Sequence, residues 1–235
     1  MDISSSHLNT STLQERKQGL QYQKILYVLV ALELIVALVW TSFSLYWWPQ
    51  LGSQIQNWWE FGLVAGILVL LLVLIAFFVP QVRRFPINWV IYLLFTLSFA
   101  HFACFLNTLD ISNLLYFALW VLTVIIVGFA LYSLLALSYI PIGESFLISF
   151  GLGTLVLIAF IAFTNFSLYL LILVAVGTVI LGFYYAYGLR TATRFSNFDD
   201  SEEDPVTGAV RFWLDGALVG CRFFEMFGRS FKTRD

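Results

Sequence analysis

Charge is scarce in this chain. Only 11% of its 235 residues are Asp, Glu, Lys or Arg, against about 25% in a water-soluble domain. Such a sequence cannot cover a water-facing surface, which excludes the soluble globular class. Positive charge is not in excess either: twelve Lys and Arg stand against fourteen Asp and Glu, a formal net charge of −2. No basic stripe can neutralise phosphates, so nucleic acid is excluded as a partner. The two cysteines, Cys104 in an apolar run and Cys221 near the end, are too few for a disulfide framework. No Cys/His cluster has zinc spacing, so no metal or cofactor is expected. Catalytic signatures are missing too: GxSxG, HExxH, a Walker lysine motif and a Gly-rich phosphate loop do not occur. No enzyme and no catalytic residue are expected. The opening MDISSSHLNTSTLQERKQGLQYQK is polar and reads as neither a signal peptide nor an acid-poor transit peptide.

What is abundant is apolar sequence: 60% hydrophobic and 18% aromatic residues, with a mean hydropathy of +0.88. Six runs, at about 25–47, 58–79, 87–107, 112–137, 145–163 and 167–188, are long enough to cross a hydrocarbon core of roughly 30 Å at about 20 residues each. The expected fold is an all-α polytopic membrane bundle of six transmembrane helices plus a semi-polar seventh helix. Its parts are a polar N-terminal segment (1–23), the six-span domain (24–189), an acidic loop (190–206), the seventh helix (207–228) and a basic tail (229–235). Pro80, Pro86 and Pro141 fall in connections, where a missing N–H does least harm. Trp47, Trp48, Trp58 and Trp59 flank the first loop like an interfacial belt. Gly151 and Gly153 form a small-residue patch expected to mark close helix packing.

Positive residues set orientation. Arg16, Lys17 and Lys24 precede span 1, Arg83 and Arg84 lie between spans 2 and 3, and Arg190 and Arg194 follow span 6, whereas the loops after spans 1, 3 and 5 hold no Lys or Arg. The N-terminus is therefore expected on the cytoplasmic or matrix side. The tail carries Arg229, Lys232 and Arg234, which favours a half-buried or re-entrant seventh segment over a full seventh span.

Ionisable groups at membrane depth are costly and mark candidate functional positions. Glu33 sits in span 1 and His101 in span 3. Each reads either as a satisfied packing group or as part of an ion path, and Glu33 is one acid with which His101 could pair. The terminal segment adds Arg211, Asp215, Arg222 and Glu225, which helical spacing places on one face as an ion-pair stripe. The loop RTATRFSNFDDSEEDP reads first as a solvated linker; its spacing is not that of an EF-hand.

Three stretches together resemble the Bax inhibitor-1 / Lifeguard (transmembrane Bax inhibitor motif) family. They are KILYVLVALEL at 24–34, RRFPINWVIYLLFTL at 83–97 and FWLDGALVGCRFFEMFG at 212–228. The matching positions include Arg83, Arg84, Pro86, Asn88, Phe95, Thr96 and Leu97 in the second block, and Leu214, Asp215 and Gly228 in the third. The resemblance implies six spans, cytoplasmic termini, a semi-polar seventh helix, and a role in calcium leak, ion homeostasis and cell-death regulation. Its calcium-leaking members are thought to gate through two aspartates that share a proton. Here Asp215 stands at one position, while the other reads Arg190. Two close carboxylates act as a pH sensor, whereas Arg and Asp fix one another. An Arg190–Asp215 pair that closes the pore, with impaired pH gating, is therefore expected.

Two function classes stay open. One is the calcium-leak or ion-homeostasis protein of an internal membrane (endoplasmic reticulum, Golgi or mitochondrial inner membrane). The other is a non-transporting accessory subunit of a larger membrane complex, such as a mitochondrial inner-membrane respiratory assembly. The partners in view are accordingly the lipid bilayer, calcium and other membrane subunits.

Overall fold

A computed structural model describes residues 3–110, 113–135, 141–163, 167–169, 171–180, 182 and 204–213. The described residues are helical, with no strand among them. The elements are α1 (Ile3–Ser42), α2 (Pro49–Asn57), α3 (Trp59–Phe78), α4 (Ile87–Leu109), α5 (Leu114–Leu135), α6 (Ile142–Phe163), α7 (Leu171–Ile180) and α8 (205–213). Five of these carry stretches long and apolar enough to cross a bilayer: Gly19–Trp47, Trp59–Ala76, Ile87–Leu109, Leu114–Leu135 and Gly143–Ala162. The protein is a polytopic helical membrane protein. Of the sixth expected run, only the part up to Ile180, with residue 182, is described.

Two boundaries differ from the sequence expectation. The first span starts at Gly19 rather than near residue 25, and the polar segment before it is already helical from Ile3. Its Leu, Gln, Glu, Arg and Lys are good helix formers, so it continues the span without a break. The first connection also folds. After a π-turn at Phe43–Trp47, Trp48 leaves the helical region (φ −136°, ψ 71°), and Pro49 opens α2 at its first position. A residue before proline is pushed away from the α conformation, and proline itself suits a helix start. Ile55 of α2 then joins Cys104 and Phe105 of α4 in a small separate core. The four tryptophans flanking this connection are all exposed.

Packing follows the order α3–α4–α1–α5–α6. The first span and α5 are the most buried, at 56% and 50% of an 18-residue apolar stretch in each, against 28% for α3 and 22% for α6. Tyr27 of α1 stacks on Phe129 of α5 at 5.7 Å, and Phe117 of α5 meets Phe160 of α6 at 4.7 Å. Tyr92 of α4 donates to the Leu29 carbonyl of α1 at 2.9 Å. Gly153 of α6 faces Val179 of α7 so closely that a side chain there would collide with it, with Ile125 of α5 in ordinary contact, while Gly151 faces open space. The close-packing expectation thus holds for one of the two glycines.

Candidate functional site: a buried carboxyl beneath the terminal helix

Glu33 lies fourteen residues from either end of the span Gly19–Trp47, at mid-depth in the bundle. It is fully buried. Trp213 Nε1 donates to its Oε2 at 2.7 Å, and its Oε1 has no partner. A polar atom removed from solvent without a hydrogen bond is costly, so the site keeps an unsatisfied acceptor at its centre.

Trp213 is brought there by α8, which is anchored at three further places. Asp204 caps its start: Oδ2 accepts from Thr207 N at 3.1 Å and from Thr207 Oγ1 at 2.9 Å. Asp before Pro is a strong helix start, because the side chain takes an orphan N–H and Pro lacks one. The same oxygen accepts from Asn88 Nδ2, buried at the beginning of α4, at 2.9 Å. Gly208 then passes so close to the Tyr22 hydroxyl of α1 that a side chain there would have to displace it. Arg211 Nε donates to the Ala76 carbonyl of α3 at 2.7 Å. In a regular helix that carbonyl would take the N–H four residues on, but that residue is Pro80, which has none. Arg211 supplies the missing donor. Finally, the Trp213 ring packs on Phe99 of α4 at 4.6 Å.

α8 therefore enters at the end of the bundle where α3 stops and α4 starts, and reaches the level of Glu33 by its ninth residue. At about 1.5 Å per residue it descends about 13 Å, close to half the hydrocarbon thickness.

Of the residues singled out from sequence, Glu33 and Arg211 converge here. Arg211 reaches across to α3, which a local ion-pair stripe did not anticipate. His101 does not bond to Glu33. It lines a half-open groove of about 250 Å³ with Val36, Trp40, Leu97 and Ala100. Arg190, Asp215, Arg222 and Glu225 lie outside the described residues. Among the described residues no group of His, Cys, Asp or Glu could hold a metal ion.

Asp204, Trp213 and Tyr22 were not anticipated. Asp204 was read as part of a solvated linker; its Asp-Pro-x-Thr context is the signal that would have marked it as a cap. Trp213 carried no local signal, because its partner is 180 positions away in the chain.

Searches of family models, curated proteins and solved structures return no match for the chain. Fold and site together define a multi-pass helical membrane protein with a carboxyl buried at mid-depth under a semi-polar helix.

Proposed function

We propose that the chain is an ion-homeostasis protein of the Bax inhibitor-1 type, held closed by its terminal helix. One observation carries this reading: the sequence blocks that resemble the family are joined by hydrogen bonds along one side of the bundle. Glu33 of the first block bonds Trp213 of the third. Tyr92 of the second bonds the Leu29 carbonyl of the first. Asn88 of the second holds Asp204, the cap of the helix that leads into the third. Ionisable groups gathered at membrane depth are the usual material of an ion path. On this reading the N-terminus faces the cytoplasm or matrix, and calcium is the conducted ion. Arg190 in place of a second aspartate locks Asp215 and removes the pH switch.

The test is calcium flux into liposomes containing the full chain. Wild type is expected to leak slowly, with no change between neutral and mildly acidic pH. Arg190→Asp is expected to raise the leak and make it respond to pH. A wild-type leak that already switches with pH would overturn the locked gate. Absence of flux in both proteins, with the native chain migrating in a large complex after mild solubilisation, would instead favour the accessory-subunit role.

A further inference from the structure

The turn between α3 and α4 carries two cations that no described residue satisfies. Arg83 is half-buried, and its Nε is shielded from solvent without a hydrogen-bond partner. Arg84 beside it is exposed. Neither guanidinium has an acid or carbonyl partner among the described residues. Other described cations do: Lys24 Nζ holds the Leu134 carbonyl at 3.4 Å, and Arg211 holds that of Ala76 at 2.7 Å. The described acids at this end are engaged elsewhere: Asp204 by Asn88 and Thr207, and Glu144 by the Tyr132 hydroxyl. The turn from Val79 to Pro86 contains no acidic residue.

Large exposed apolar side chains flank the pair along the chain. Phe85, next to Arg84, is 79% exposed, and Phe78, Ile87 and Trp89 are exposed as well. Below them, Leu71 and Ile75 of α3 and Leu93, Leu94 and Leu97 of α4 present exposed apolar surface. Two consecutive arginines at the membrane end of α3 and α4, beside exposed aromatic and apolar side chains, match a molecule with an anionic phosphate head and hydrocarbon tails. Guanidinium binds phosphate through paired N–H bonds, aromatic rings settle at headgroup level, and basic clusters beside membrane helices attract anionic lipids.

We propose that Arg83 and Arg84 form the headgroup site of an anionic phospholipid, with Phe85 and Trp89 framing it and the α3–α4 surface carrying its acyl chains. The partner is the lipid, not free phosphate: a soluble anion would leave the surrounding apolar wall unused.

Native mass spectrometry of the detergent-solubilised full chain tests this with phosphatidylglycerol and phosphatidylcholine as probes. Phosphatidylglycerol is expected to bind more tightly and to resist competition by inorganic phosphate. Each Arg→Gln change should weaken that binding about five-fold, and the double change about twenty-five-fold, at about 1 kcal/mol per charge. Arg83→Lys with Arg84→Lys should retain most of the preference. If the double Gln variant fails to fold, the exposed Arg84→Gln change alone still reads the five-fold loss. Equal binding of the two lipids, an unchanged preference in the Gln variants, or displacement by inorganic phosphate would overturn the proposal.

Discussion

Apolar 18-residue stretches of the first span and α6 have the same mean hydropathy, 2.3, yet 56% of one and only 22% of the other is buried in the protein. Hydropathy therefore selects what enters a membrane without selecting what ends up inside the bundle. The difference lies in the size of the buried polar residues: α6 buries only the small Ser145 and Ser149. The first span carries Gln23, Glu33 and Thr41, all buried, on a face turned towards its neighbours. Tyr27 stacks on Phe129 of α5, and Tyr92 of α4 bonds its Leu29 carbonyl, tying it to adjacent helices. α6 turns most of its large apolar residues, such as Phe146, Leu147 and Ile158, outward. In lipid an apolar side chain gains little by moving from hydrocarbon to protein, so polar bonds and close contacts decide the order of helices.

The comparison can be broken at its strongest point by Trp213→Ala. That change deletes a packed ring and the donor to Glu33, and should cost about 3–5 kcal/mol, read as a lower unfolding temperature in detergent. Trp213→Phe keeps most of the packing and should cost about 0.5–1.5 kcal/mol, as for an ordinary hydrogen bond. If both variants behave as wild type, the first span is not held by its polar face. Next comes Gly153→Leu, which overfills the one tight face of α6 and should cost about 1–3 kcal/mol. The same change at Gly151 should be nearly silent, and equal effects at both would remove the distinction between the two faces of α6. Asp204→Ala should cost about 1–2 kcal/mol through the lost cap, and more protease cutting near residue 204 would report the loosened α8. Smallest of all, Leu147→Ala on the outer face should change stability by less than about 0.5 kcal/mol. A larger loss there would mean that α6 is covered by something other than lipid.

The sequence read well where the physics is local. Five runs of apolar residues became five long helices, and Pro80, Pro86 and Pro141 fall outside the helices they separate. α2 was missed because PQLGSQIQN is polar and short, and only the packing of Ile55 against α4 shows why it is helical. The candidate site was half legible. Glu33 stood out because a carboxyl in an apolar run is costly, but its partner could not be inferred. His101 was one option for that partner, and Trp213, an ordinary-looking aromatic, took the place instead. Arg211 was visible as a charge, whereas its target was not. The vacancy it fills arises from the absence of one N–H at Pro80, a fact about backbone geometry rather than about side-chain type.

The bond between Glu33 and Trp213 also has a history in time. Its two residues are separated by 180 positions. At a synthesis rate of about 5–20 residues per second, roughly 10–40 s pass between the making of the carboxyl and the making of its donor. During that interval the first span must be inserted with Glu33 still waiting. Biogenesis therefore has to shelter the carboxyl, by insertion machinery or by delayed entry of the helix. A nascent chain halted before Trp213 would expose the nature of that shelter, because Glu33 would then remain accessible to crosslinking by whatever holds it.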